Sequence, residues 1–148
     1  MIGAYPDFFS GAALRNPVIA CGDISSTDIP DWYFAEFGLD YPIPSLPKSE
    51  KLIPPLVSND AFALLQAASP LRNIDKIEVP VYIFLGASDR RVSNVHGIAF
   101  YHALKARYGA EKEVQLFVFE GEGHPLDGVE TATATFELMR DLFGRLRK

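Results

Sequence analysis

The stretch VPVYIFLGASDRRVS, residues 79–93, decides the fold class of this chain. Its first half, from Val79 to Gly86, is a continuous apolar run rich in β-branched and aromatic residues, which is typical of a strand buried on both faces. Its second half turns polar and places an acid, Asp89, shortly after the strand. The stretch therefore predicts a central strand covered by helices, with a candidate functional residue at its carboxyl end.

The segments that follow alternate between helix and strand patterns. Ser93 is a predicted helix cap, and the helix that it begins runs to Tyr108. Residues 114–119 are predicted as a second buried strand, and residues 131–146 as an amphipathic helix with an inward face made of Phe136, Met139, Phe143 and Leu146. Strands joined by helices through short links are parallel, so the predicted fold class is α/β, a mostly parallel sheet flanked by helices.

The amino-terminal half of the chain is less regular. Residues 6–14 are predicted as the tail of a helix, residues 16–20 as a short apolar strand and residues 30–38 as a short helix. Residues 39–57 are rich in proline and are predicted to be loop. A further helix is expected over residues 59–68, ending at a Ser-Pro pair.

Composition excludes several classes of protein. The 148 residues are 48% hydrophobic and carry a net charge of −5, with no basic stripe, so nucleic acid is not an expected partner. No apolar run is long enough for a membrane span, and the amino terminus lacks the pattern of a signal peptide. The single cysteine suits a reducing compartment, so a soluble cytoplasmic protein is expected. His96 and His102 fall on different faces of one helix, and no metal or cofactor site is predicted.

An acid and a histidine follow the two predicted strands of the carboxyl-terminal half. Asp89 lies in SDRRV, and His124 lies in the glycine-rich loop of FVFEGEGHPLDG, residues 117–128. In nucleophilic hydrolases of the α/β class, the order along the chain is nucleophile, acid, histidine, each after its own strand. An Asp after a strand is often only a turn former, and a His in such a loop is often only exposed, so spacing alone leaves both interpretations open.

The nucleophile is the difficulty for this hypothesis. The strand-to-helix elbow G-x-S-x-G occurs nowhere in the sequence. Ser10 follows no predicted strand, and Ser88 is adjacent to the acid and out of chain order. Cys21 precedes both Asp89 and His124 but leads into a loop rather than a helix, which favours a buried, inert thiol.

Several motifs together carry a resemblance to a known family. RNPV, STDIPDW, GASDRRV and GEGHPL, spread over most of the chain, are similar to the carboxyl-terminal part of acylaminoacyl peptidases in the prolyl oligopeptidase family. The resemblance implies an α/β-hydrolase fold and a serine-type peptidase that removes N-acylated amino acids from blocked peptides. It matches Asp89 to the acid and His124 to the base of the triad, and it assigns Arg91 and Trp32 to substrate binding or support of the site.

The resemblance also implies that part of the hydrolase lies outside this chain. Residues 1–148 are expected to be an incomplete peptidase domain that begins just after the serine elbow, so that the serine, the oxyanion loop and a β-propeller precede it, and this chain alone is expected to be inactive. An N-acylated peptide is the expected substrate, no cofactor is implied, and a homo-oligomer is left open. Two alternatives remain: a non-catalytic half-domain that pairs with another hydrolase portion, and an independent hydrolase that uses Cys21.

Overall fold

The computed structural model describes residues 1–22, 27–29, 31–39 and 59–147, without the side chains of Tyr33 and Asn59. In chain order the elements are β1 (Ala12–Arg15), α1 (Asp31–Glu36), α2 (Asn59–Ala68), a 3-10 helix (Pro70–Lys76), β2 (Val81–Gly86), α3 (Asn94–Tyr108), β3 (Val114–Phe119) and α4 (Val129–Leu146). The predicted helices and strands of the carboxyl-terminal half are confirmed within a few residues. Apart from Leu39, the predicted proline-rich loop lies outside the described residues.

The three described strands form one parallel sheet in the order β1-β2-β3. The register aligns Ala12 with Val81 at the start of the first pair, and Gly86 with Phe119 at the end of the second. Because all three strands run the same way, their carboxyl ends meet at one edge of the sheet. The predicted α/β fold with a parallel sheet is confirmed.

Every residue of β2 is buried, as the apolar run predicts. Alternate side chains point to opposite faces of the sheet. On one face, Ile83 and Leu85 pack in a cluster with Phe100 and Leu104 of α3. On the other face, Phe84 and its neighbours Tyr82, Leu126 and Leu142 form a second cluster that reaches α4. The sheet is therefore covered by α3 on one side and by α4 on the other.

The inward face of α4 differs from the prediction. Phe136 and Phe143 are 63% and 41% exposed, so the expected aromatic face was wrong for these two residues, although Met139 and Leu146 do pack against the second cluster. The helix instead buries Thr131, Thr135 and Leu142, which follow one another at spacings of four and seven residues. The sequence of α4 offers two stripes at helical spacing, and the fold buries the less aromatic one.

The first strand also lies earlier than predicted. Residues 2–8 form turns rather than a helix tail, and the strand covers Ala12–Arg15 instead of residues 16–20. Two physical features stop the strand: Asn16 has a φ of 41°, in the left-handed region, and Pro17 has no N–H to donate to a ladder. The apolar residues of NPVIA form the connection that leaves the sheet, and Ile19 enters the core from there.

The third strand is less buried than expected. Val114 is buried, but Val118 is 44% exposed. Within the described residues β3 pairs on one side only, with β2, and α4 covers part of its length. The prediction of a strand was correct, and the prediction that it is buried on both faces was wrong because an edge position cannot be recognised from an apolar run.

Candidate active site

Asp89 and His124 meet at the carboxyl edge of the sheet. Nδ1 of His124 lies 2.9 Å from Oδ2 of Asp89. The side chain of Asp89 is fully buried, while that of His124 is 34% exposed. The structure therefore brings together the two residues that the sequence singled out, one shielded from water and the other open to it.

The turn after β2 orients the carboxylate of Asp89. The backbone N–H of Asp89 donates to the Gly86 carbonyl at 3.2 Å. Oδ1 in turn accepts from the backbone N–H groups of Arg91 at 2.8 Å and Val92 at 3.1 Å. This arrangement, in which an Asp side chain bonds the backbone two residues on, leaves Oδ2 directed at His124.

The hydrogen bond between the two side chains determines the chemistry of the imidazole. With Asp89 as a carboxylate, which can only accept, the contact assigns Nδ1 of His124 as the donor that carries the ring proton. In the neutral ring, Nε2 then holds the free lone pair and is the basic atom. With a third of the side chain exposed, this arrangement is suited to accept a proton from a group arriving from solvent.

The loop that carries His124 approaches the end of β2 very closely. A Cβ on Gly86 would lie 2.5 Å from the carbonyl oxygen of Gly123 and 2.6 Å from that of Glu122, distances that no side chain tolerates. The Ser88 N–H donates to the Glu122 carbonyl at 2.9 Å, which joins the acid turn to the histidine loop directly. The absence of a side chain at Gly86 is therefore what allows the two loops to lie side by side.

The same loop is fastened to the start of α4 by the side chain of Glu122. Oε1 accepts from the Thr131 hydroxyl at 2.8 Å, and Oε2 accepts from the Gly128 N–H at 3.4 Å. The carboxylate lies next to the amino-terminal end of the helix, where a negative charge is favourable. These contacts hold the segment on both sides of His124.

Sequence reasoning missed four residues of this framework: Arg15, Asn16, Gly86 and Glu122. Arg15 and Asn16 contact the histidine loop from the end of β1. A signal existed, since an Asn directly before Pro at the end of an apolar run is typical of a left-handed or turn residue. The misplaced strand at residues 16–20 hid it.

Arg91 and Trp32 occupy different surroundings. Arg91 contributes its backbone N–H to Asp89, while its side-chain Nε lies 3.9 Å from Oδ1 of Asp28, both side chains being about half exposed. Trp32 packs in a cluster centred on Phe34, with Val18, Phe37 and Leu39. Neither arrangement tests a role in substrate binding, which stays a prediction for both residues.

Cys21 lies in a buried environment. Its backbone N–H donates to the Ser69 hydroxyl at 2.8 Å, and that hydroxyl donates to the Leu65 carbonyl at 2.8 Å. Burial raises the pKa of the Cys21 thiol, partly offset by the hydrogen bond from Ser69. A thiol with a raised pKa stays protonated near neutrality, and the thiolate is the nucleophilic form. The environment favours the interpretation of Cys21 as an inert core residue.

Two further properties concern the whole of the described chain. None of its helices has the length and hydrophobicity that a membrane span requires. Residues 1–22, 27–29, 31–39 and 59–147 contain no cluster of three or more His, Cys, Asp or Glu side chains placed to hold a metal ion.

The parallel sheet between helices, with an acid and a histidine after consecutive strands, places the chain in the α/β-hydrolase fold class. A profile of the prolyl oligopeptidase family matches residues 1–146, and the chain belongs to this family. The resemblance described from the sequence motifs is confirmed.

Relatives of known activity are similar along most of the chain. It is 35% identical over 137 residues to the acylamino-acid-releasing enzyme of Rattus norvegicus and 34% identical over 138 residues to that of Arabidopsis thaliana. Each alignment covers 92% of this chain, but only 17% of the rat enzyme and 16% of the plant enzyme. The chain thus spans about a sixth of the length of these relatives.

Solved structures support the fold. An acylaminoacyl peptidase of Pyrococcus horikoshii superposes with a TM-score of 0.69 at 20% identity, covering 94% of this chain and 20% of that one. A puromycin hydrolase superposes with a TM-score of 0.68 at 19% identity, covering 95% of this chain and 19% of that one. At these identities the likeness concerns the backbone arrangement alone.

Proposed function

We propose that this chain is the acid–base portion of a serine-type peptidase that removes N-acylated amino acids from blocked peptides. In this proposal His124 is the general base, and Asp89 fixes its tautomer and stabilises the imidazolium that forms. The observation that carries the proposal is the 2.9 Å contact between Nδ1 of His124 and the buried carboxylate of Asp89. The similarity to acylamino-acid-releasing enzymes supplies the substrate class.

The serine nucleophile is proposed to come from outside these 148 residues. The sequence has no G-x-S-x-G elbow, and burial disfavours Cys21 as a substitute. Without a nucleophile, an oriented imidazole has no hydroxyl to activate, so the chain by itself is proposed to be inactive. We also propose a cytoplasmic location, because the single cysteine leaves no disulfide to form within this chain.

A chimera tests the catalytic roles. Here this chain replaces the matching segment of the rat acylamino-acid-releasing enzyme, and release of N-acetylated amino acid from an acetylated peptide is measured. We expect Asp89→Asn to lower kcat by about four orders of magnitude with a small change in KM, because it removes the acceptor that holds the tautomer. Asp141→Asn is the matched control, since it makes the same chemical change at the exposed partner of Arg140 in α4. Equal activity of the two variants would contradict the proposal.

A fluorophosphonate probe tests the isolated chain. We expect no covalent labelling, while the chimera is labelled at the serine of the rat segment. Any covalent labelling of the isolated chain would contradict the proposal. Labelling that survives Cys21→Ala would indicate another nucleophile within these residues, and labelling that is lost would identify Cys21.

A second candidate, a half-domain completed by another polypeptide, is favoured by the edge of the sheet. Among the described residues, β1 pairs with β2 alone, so its other edge has no strand partner there. An apolar cavity of about 330 Å³ lies nearby, with Ile2, Leu14 and Val18 in its wall. Unpaired strand edges and exposed apolar cavities favour association with another polypeptide. A monomer by analytical ultracentrifugation that melts sharply and binds no hydrophobic dye would contradict this candidate.

A further inference from the structure

Arg15 and Asn16, at the carboxyl end of β1, are both bonded to the loop that carries His124. Asn16 is 4% exposed and has a φ of 41°, a conformation that Asn adopts more readily than most residues. Its backbone N–H donates to the Phe84 carbonyl at 2.9 Å, which continues the pairing with β2 for one residue beyond the strand.

The side chain of Asn16 joins three segments at once. Oδ1 accepts from the Gly86 N–H at 2.9 Å, at the end of β2. Nδ2 donates to the His124 carbonyl at 2.9 Å and to the Gly123 carbonyl at 3.4 Å. The amide thus fixes the backbone of the histidine loop relative to the strand that leads to Asp89.

Arg15 extends the same set of contacts along the loop. Its Nη2 donates to the Pro125 carbonyl at 2.6 Å and to the Leu126 carbonyl at 2.8 Å. Leu126 itself is fully buried and has a φ of 51°. The carbonyls of residues 123–126 are therefore all turned toward the end of β1, where they accept hydrogen bonds from the adjacent side chains of Arg15 and Asn16.

We propose that Asn16, supported by Arg15, is a positioning residue that sets the distance and orientation of His124 relative to Asp89. The proposal rests on the catalytic roles proposed above for Asp89 and His124. Neither Arg15 nor Asn16 contacts the imidazole ring in this arrangement; both act through the backbone that bears it. Nδ1 of His124 lies 2.9 Å from Oδ2 of Asp89. A hydrogen bond of this type is lost once the distance exceeds about 3.2 Å by a few tenths of an ångström.

Asn16→Asp removes the donor function of the amide and places a carboxylate at this buried position. The substitution keeps the size of the side chain, its tolerance of a left-handed φ and an oxygen that can accept from the Gly86 N–H. It replaces Nδ2 with a carboxylate oxygen, which faces two carbonyl oxygens and can donate to neither. Asn73→Asp is the matched control, because the Asn73 side chain accepts a hydrogen bond from Lys76 at 3.1 Å and lies outside the histidine loop.

The readout is the ring proton of His124, observed by NMR on the chain labelled with ¹⁵N-histidine, which contains three histidines. We expect a protonated Nδ1 and a slowly exchanging ring N–H in the natural chain. In Asn16→Asp we expect exchange at least about tenfold faster, the factor that corresponds to about 1.4 kcal/mol, with a shift toward mixed tautomers. Exchange of the backbone amides of residues 81–85, which exclude the Gly86 amide bonded to Asn16, should stay unchanged, and so should the His124 signal in Asn73→Asp.

Two results overturn the proposal. One is an unchanged His124 ring proton in folded Asn16→Asp. The other is acceleration that matches that of the β2 amides, because it would report loss of global stability alone. If Asn16→Asp does not fold, Arg15→Met decides by the same readout, since Arg15 is exposed and its loss removes the bonds to Pro125 and Leu126. No substrate enters this measurement, so it separates the positioning role from failure of the proposed peptidase function.

Discussion

Replacing Gly86 with alanine should separate the acid turn from the histidine loop. The added Cβ would lie 2.5 Å from the Gly123 carbonyl oxygen, whereas ordinary van der Waals contact begins at 3.4 Å, so the loop must retreat by about 0.9 Å. The obstructing atoms are the carbonyl oxygens of Gly123 and Glu122. Both belong to the backbone, which cannot rotate away as a flexible side chain can. Overpacking of this kind costs about 1–3 kcal/mol of the free energy of unfolding.

The same retreat acts on the site. A movement of about 0.9 Å directed away from Asp89 would take the contact of 2.9 Å beyond the range of a hydrogen bond. Gly86→Ala should therefore lose the protected His124 ring proton as well as stability. Urea unfolding followed by the fluorescence of Trp32, the single tryptophan, measures the stability, and NMR measures the ring proton.

Gly144→Ala is the matched control for this experiment. A Cβ at Gly144, inside α4, meets no atom within 4 Å. Alanine in a helix interior is more favourable than glycine by roughly 0.5–1 kcal/mol, so this variant should be slightly more stable than the natural chain. A Gly86→Ala chain with natural stability and an unchanged ring proton would refute the reasoning about the close approach.

Three further outcomes follow from the packing and the electrostatics. The hydrogen bond from Tyr82, followed by the hydrogen bond and the charge of Arg145, lowers the pKa of Glu113 against the opposing effect of burial. The stabilisation that Glu113 contributes is therefore present above its ordinary pKa of about 4.5 and is lost as the pH falls through the lowered pKa. The stability difference between the natural chain and Glu113→Gln should therefore shrink on acidification, and a constant difference in urea titrations would contradict this. Because burial raises the pKa of Cys21, iodoacetamide at neutral pH should modify the native chain several-fold more slowly than the unfolded chain, as measured by mass spectrometry. Phe136→Ala should change the free energy of unfolding by no more than about 0.5 kcal/mol, since the ring is largely exposed, whereas a loss of about 3–5 kcal/mol would indicate a buried ring.

The carboxyl-terminal half was predictable because its signals are local. The continuous apolar run of β2 occurs where a strand is covered on both faces, and Ser93 begins α3 as a side-chain cap that accepts from the Val95 N–H. The meeting of Asp89 and His124 could be predicted because each follows one of two adjacent parallel strands, whose carboxyl ends lie at the same edge of the sheet.

The errors arose where the sequence permits more than one answer. Apolar residues lie on both sides of Asn16, and only the left-handed φ at that position shows that the strand stops there. In α4, the stripe containing Phe136 has the same helical spacing as the stripe containing Leu142, and the fold buries the latter. Hydrophobic periodicity indicates that a helix has an apolar face, but it does not predict which of two such faces is buried against the sheet.

The sequence by itself determined the α/β class, the family and the two residues at the centre of the candidate site, because each depends on residue types at short spacings. The tertiary structure alone decided what holds those two residues at 2.9 Å. The amide of Asn16 and the missing side chain of Gly86 act across contacts between segments about 35 to 110 residues apart in the chain. Such contacts depend on the register of the three strands, and no pattern within a single segment encodes that register.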